Sequence, residues 1–160
     1  MPTISAVADV RAEGVLLTPP ATGAVADDKI TGAINLAFNR MMILFTLADY
    51  DAVRTYSGVD PALVEKQSRF KHAECSFAIA ELCAVLNNSQ FVENGFAKQK
   101  SIGQSKIDLA TPQDIKDAQE VWLQKATIWL RPYLTTAVLN EKGKRSAFRT
   151  KDRKLTIITI

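Results

Sequence analysis

Histidine and cysteine are scarce in this 160-residue chain, which has one His, His72, and two Cys, Cys75 and Cys83. The two cysteines sit eight positions apart in a segment patterned as one helix, about 12 Å along the axis at ~1.5 Å per residue. A disulfide needs Cα atoms within roughly 7 Å. The pair is therefore not bridged to itself, in keeping with a reducing compartment. A zinc site from His72, Cys75 and Cys83 lacks a fourth ligand and the usual short Cys spacing, so neither a metal nor a cofactor is expected. There is no CxxC, and the glycines at 95 and 103 are not followed by the GK[ST] of a phosphate loop. No run approaches the roughly 18 uncharged apolar residues of a membrane span; the best, 41–48, has eight. The first residues, MPTISAVADVRAEG, show no basic stretch leading into an apolar block, so no secretory signal is expected. Seven Gly and six Pro exclude collagen-like and low-complexity designs. With 47% hydrophobic and 23% charged residues, the expectation is one globular domain with an ordinary core.

Charge is unevenly placed. Residues 1–140 carry 13 Lys/Arg against 15 Asp/Glu, a net of −2. Residues 141–160 carry Lys142, Lys144, Arg145, Arg149, Lys151, Arg153 and Lys154 against Glu141 and Asp152, a net of +5. The chain's net of +3 thus belongs to its tail. A basic tail binds nucleic acid or an acidic protein surface, or is simply a solvated terminus.

Three helices dominate the pattern. The first opens at Asp27-Asp28, whose carboxylates suit capping and the positive end of the helix dipole. Ile30, Ala33, Ile34, Ala37, Phe38, Met41, Phe45 and Ala48 follow the 3.6-residue period, so the helix is expected to stop near Tyr50 or run on toward Tyr56. The second starts with Asp60-Pro61 and carries Leu63, Phe70, Ala73, Phe77, Ala80 and Ala84, widened by Ile79, Leu82 and Val85. Asn87-Asn88-Ser89 is expected to end it. The third opens with Thr111-Pro112-Gln113-Asp114, a capping signature, and repeats Ile115, Ala118, Trp122, Ala126 and Trp129. The tryptophan pair is expected to be core, the other reading being a stacking platform for bases. Pro132 is expected to kink or restart this helix before an end near Asn140.

Between the second and third helices, residues 89–110 show no helical period. A stretch this long without regular structure is expected to be an ordered excursion with a short hairpin, lying on a neighbouring surface. Residues 1–26 are set apart as an N-terminal extension with a turn or two of helix between Ser5 and Glu13. The bundle is expected to span 27–140, and the tail 141–160. The tail's end, Leu155 to Ile160, is uncharged and mostly β-branched, and is expected to form a strand that pairs with a sheet edge of another chain. The alternative is a strand folded back on residues 89–110. The fold class expected is all-α, a small helical bundle with a long inter-helix loop and a terminal strand. No nucleophile and base can be paired from one histidine. The carboxylates Asp49, Asp51, Glu74 and Glu81 are scattered, the last two as edge positions of an amphipathic helix. A role other than catalysis is expected.

The succession DDKITGAINLAFNRMM, RFKHAECSFAIAELCAVLNN, a long loop, TPQDIKDAQEVWLQKATIWLRPYL and an extended tail resembles the head–tail connector (adaptor, or head-completion) proteins of tailed bacteriophages over about residues 25–160. The resemblance implies a subunit of a homo-oligomeric ring, usually twelvefold, beneath the portal protein, at the head–tail interface of a virion and made in the host bacterial cytoplasm. It implies portal docking through the tail, here Lys142, Lys144, Arg145, Phe148, Arg149, Lys151, Arg153, Lys154, Leu155, Ile157, Ile158 and Ile160. It assigns the loop residues Phe91, Phe96, Lys98, Lys100, Ile102 and Ile107 to a neighbouring subunit or a tail-completion or stopper protein. DNA would pass through the channel without sequence-specific binding, and no membrane is involved. The competing expectation is a small nucleic-acid-binding or regulatory protein with a basic C-terminal arm.

Overall fold

The computed structural model describes residues 3–21, 24–96, 100–102, 105–107 and 111–134. Six helices are present among them: α1 (Val7–Gly14), α2 (Asp27–Leu44), α3 (Leu47–Arg54), α4 (Pro61–Val85), α5 (Asn88–Glu93) and α6 (Pro112–Leu130), the last followed by a 3-10 turn at Arg131–Tyr133. Two three-residue strands, β1 (Lys100–Ile102) and β2 (Ser105–Ile107), form an antiparallel hairpin with Lys100 opposite Ile107. The chain is thus mainly helical. The strand expected at 155–160 and the rest of the basic tail lie outside the described residues.

Local chemistry sets most helix starts. Asp60 accepts from Ala62 N–H at 2.9 Å ahead of Pro61. Thr111 and Asp114 form a reciprocal capping box, Thr111 N–H donating to Asp114 Oδ2 at 2.8 Å. At α2 the acids lie inside the first turn and the N-cap position is Ala26, so Asp27 and Asp28 face the dipole from within the helix, where Asp28 Oδ1 accepts from Lys29 N–H at 2.8 Å. Asp27 instead pairs with Arg11 at 2.5 Å.

Three boundaries differ from the sequence expectation. α2 stops at Leu44, short of Tyr50: Phe45 turns extended (φ −132°, ψ 155°), Thr46 caps α3 through Asp49 N–H at 3.1 Å, and the Phe45 ring packs on Phe70 with centroids 4.6 Å apart. Asn87 does not end α4 in a left-handed turn. α4 finishes at Val85, and Asn87, extended at φ −73° and ψ 166°, caps α5 through Gln90 N–H at 2.8 Å. The excursion from 89 accordingly begins with helix, and Gly95 (φ 76°) supplies the left-handed residue that turns the chain out of it. Pro132 falls in the 3-10 turn that follows α6, in line with the kink expected there, and the helix end expected near Asn140 lies outside the described residues.

α4 is the axis of the fold. It packs mainly on α6 and α2, and also on α1 and α3. Every residue from Ala73 to Ala80 is buried, the state of a helix enclosed on all sides rather than along one stripe. Small side chains at 73, 75, 76, 78 and 80 let neighbours approach, while Phe77 and Ile79 fill the space between. Each such large apolar side chain contributes about 1.5–3 kcal/mol by leaving water. The two ends of α4 are open: Leu63, Ala84 and Val85, expected in the stripe, are exposed.

The boundary drawn at residue 26 does not separate an extension from the bundle. Val10, Leu16 and Val25 are buried in the same core as α2 and α4. Asp9 pairs with Lys71 at 2.8 Å and Glu13 with His72 Nδ1 at 2.7 Å, which ties α1 to α4. Composition alone hides this, because an eight-residue helix with three charges looks solvated until its partners on α4 are known.

Candidate functional site

The positions assigned to partner docking separate into three groups. Lys142, Lys144, Arg145, Phe148, Arg149, Lys151, Arg153, Lys154, Leu155, Ile157, Ile158 and Ile160 lie outside the described residues, as does Lys98. Lys100, Ile102 and Ile107 stand on the hairpin, Lys100 opposite Ile107 and Ile102 opposite Ser105. Phe91 is different: it is fully buried in α5 and packs against half-buried Phe96 with the rings tilted by 38° and centroids 5.4 Å apart. A side chain with no exposed surface is unavailable to a neighbour, so Phe91 closes the core and Phe96 alone of the two reaches the surface.

Beside Phe96 runs an open groove of about 570 Å³, walled by Gly14, Asn94, Gly95 and Phe96 on one side and by α6 on the other. The α6 wall presents Asp114, Asp117, Ala118, Val121, Trp122 and Lys125. Asn94 fixes the opposite wall, its Oδ1 accepting from Leu17 N–H at 2.8 Å and its Nδ2 donating to Gln90 O at 2.7 Å. Lys125 Nζ lies 3.6 Å from the Trp122 ring centroid, a cation–π contact. Trp122 and Trp129 are half-buried against the core rather than enclosed by it. Trp129 is covered by His72, stacked at 4.8 Å with a 21° tilt. The groove therefore combines an apolar floor with two carboxylates and the Lys125 ammonium.

The polar centre of the molecule departs from the pattern of its own helix. Glu74, expected on a helix edge, is fully buried. Its Oε1 accepts from Tyr50 Oη–H at 2.6 Å, and its Oε2 accepts from Ser5 N–H at 2.8 Å, Ile4 N–H at 3.1 Å and the Ser5 hydroxyl. Tyr50 Oη also accepts from Ile4 N–H at 2.8 Å. Burial, then the hydrogen bond and charge of Glu74, push the Tyr50 phenol far above its ordinary range, so it stays a donor. Four donors answer one carboxylate, which is what lets a charge remain in the core. The centre anchors residues 4–5 across α3 and α4. The one sequence signal is a carboxylate set among small and apolar residues in ECSFAIA, where the outer face should otherwise show.

Candidate chemistry is sparse elsewhere. Cys75 and Cys83 are buried and free. Burial first, with Asp9, Glu13 and Glu74 adding to it at Cys75, pushes both thiols up to about 12, so neither is a poised nucleophile. Among the described residues no group of three His, Cys, Asp or Glu could hold a metal ion. No helix among them is long and apolar enough to cross a membrane. Compared with protein-family models, curated proteins and solved structures, the chain has no match.

Proposed function

We propose that this chain is a structural assembly protein, a head-to-tail connector subunit of a tailed bacteriophage that forms a ring beneath the portal and docks on it through its C-terminal tail. The observation that carries the reading is the division of chemistry along the chain. A mainly helical body, net −2 over residues 1–140, is followed by 20 residues with seven Lys/Arg and the hexapeptide LTIITI. The basic residues steer the tail to an acidic surface of the portal, and a β-branched strand locks it by main-chain hydrogen bonds to a sheet edge. Repetition around a ring, expected to be twelvefold, multiplies weak single contacts. The weakly acidic body suits a channel that lets DNA pass without holding it, and a tail-completion or stopper protein would take the opposite side of the ring. Such a protein acts in the virion, at the head–tail interface.

The test is truncation after Asn140. The shortened protein is expected to keep its helical circular dichroism and melting temperature and to lose binding to portal-bearing heads. Unchanged binding refutes the tail's role. If instead the full chain ignores the portal and binds duplex DNA with an affinity falling by roughly 0.9 log units per log unit of salt for each phosphate neutralised, the tail is a nucleic-acid arm.

A further inference from the structure

Two helices carry the same exposed pattern on their outer sides. On α2, Gly32, Leu36, Asn39 and Ile43 follow i, i+4, i+7 and i+11, and all four are exposed. On α6, Asp117, Val121, Gln124 and Ile128 repeat that spacing, and all four are exposed. At ~100° per residue each set lies within a stripe about 60° wide. The aliphatic members are well out in water: Leu36 is 49% exposed and Ile43 59%, Val121 51% and Ile128 66%. In each stripe the two stand seven residues apart, about 10.5 Å along the axis.

We infer that the outer stripe of α2 in one copy packs on the outer stripe of α6 in the next, a head-to-tail contact between copies of this chain. Laid parallel, the two patterns match member by member. Leu36 meets Val121, Asn39 meets Gln124 and Ile43 meets Ile128, while Gly32 leaves room beside Asp117. Gly32 has nothing within 4 Å of the place a Cβ would occupy, so the subunit's own packing does not require a glycine there. An exposed mid-helix glycine weakens a helix relative to alanine, and close approach of a second chain supplies a reason for it. Charge agrees: residues 30–39 contain no ionisable group, Arg40 is paired with Glu81, and Lys29, one turn before Gly32, falls opposite Asp114, one turn before Asp117. A nucleic-acid partner would need a basic face, which neither stripe provides.

Pairing α2 with α2, or α6 with α6, would bury one stripe and leave the other in water on every subunit. Pairing α2 with α6 buries both, and it is heterologous, the kind of contact that closes rings. This deepens the ring reading above and names its subunit contact. It is read in the isolated protein, so its failure is distinct from a failure of portal docking, which is read through the tail.

The experiment is analytical ultracentrifugation of the full-length protein and of Leu36→Glu and Ile128→Glu, with circular dichroism and melting to verify folding. Wild type is expected to self-associate with concentration, and each folded variant to sediment as a monomer. Mixing the two variants is expected to restore one-to-one dimers and nothing larger, because each keeps the face the other has lost. A wild-type chain that stays monomeric up to about millimolar, an association worth no more than about 4 kcal/mol, overturns the proposal. Monomers from Leu36→Glu alone, with Ile128→Glu unaffected, overturn it in favour of an α2–α2 pair. Should either variant misfold, Gly32→Leu, which adds bulk where there is open space, replaces Leu36→Glu, and Val121→Lys replaces Ile128→Glu.

Discussion

Tyr50→Phe removes one oxygen from the centre of the fold and tests the reading of Glu74 directly. That oxygen donates to Glu74 Oε1 at 2.6 Å and accepts from Ile4 N–H at 2.8 Å. A hydrogen bond to a charged group contributes roughly 1.5–3 kcal/mol, and the carboxylate oxygen left behind is sealed from water because Glu74 is fully buried. The loss at Ile4 is milder, since its N–H keeps Glu74 Oε2 at 3.1 Å. The ring itself stays, packed edge-on against Phe38 with centroids 5.3 Å apart, so the cavity left by one hydroxyl adds little. The expected cost is about 2–3 kcal/mol, which for a chain of this length is a fall in Tm of roughly 5–10 °C. Urea unfolding followed by circular dichroism measures it, with an unchanged m-value as the sign that the native state is otherwise intact. Hydrogen exchange should locate the effect, with the Ile4 and Ser5 amides losing more protection than those of α6. Tyr56→Phe is the control, its hydroxyl accepting from Asp60 N–H at an exposed turn. A Tyr50→Phe loss within about 0.5 kcal/mol of wild type, the range of ordinary surface changes, would refute the reasoning, because water would then have to reach Glu74.

Two further outcomes follow from the same packing. Partial burial acts to raise the Asp9 carboxyl but is outweighed by the Lys71 hydrogen bond, Ala6 N–H and the positive charge of Lys71 and His72, so the group is held below its ordinary value. A lowered folded-state value means its stabilisation is in place above the unfolded carboxylate range, ~3.9, and is lost as the pH falls through the folded value. Protection of α1 amides should therefore drop relative to α6 in acid, and Asp9→Asn should abolish that difference; an identical profile in the variant counts against it. Cys75 and Cys83, with thiols pushed up to about 12 by burial, should resist a thiol reagent at about pH 8 in the native protein and react once urea has unfolded it. Rapid native labelling would show that α4 is not enclosed.

The helix starts are legible because their chemistry is local. Asp60-Pro61 and Thr111-Pro112-Gln113-Asp114 fix α4 and α6 within a few residues of chain, as the cap hydrogen bonds confirm. The end of α2 is harder to read, since residues 41–48 are apolar except for Thr46, and the one local signal there is the Thr46–Asp49 cap that restarts the chain as α3. The break is held in place by a distant ring, Phe70, that packs on Phe45 at 4.6 Å. Asn87 shows a related ambiguity: asparagine serves both to stop helices and to start them, and the backbone angle that chooses is set by where α5 must lie to bury Phe91. The groove was invisible because its two walls, Asn94–Phe96 and α6, meet only in the folded chain.

Sequence by itself determined the helical character of the chain, its main initiation signals, the scarcity of histidine and cysteine and the separation of a weakly acidic body from a strongly basic tail. Each of these depends on residues close together in the chain or on simple counting. Only the tertiary structure decided which faces are buried. A helix does not encode how many neighbours surround it, so α4 has the pattern of an amphipathic helix and becomes an enclosed one when α1, α2, α3 and α6 gather round it. Glu74 marks the difference: it is an edge residue by its own helix and a core residue by its donors, because Tyr50 and Ser5 reach it from 24 and 69 positions away.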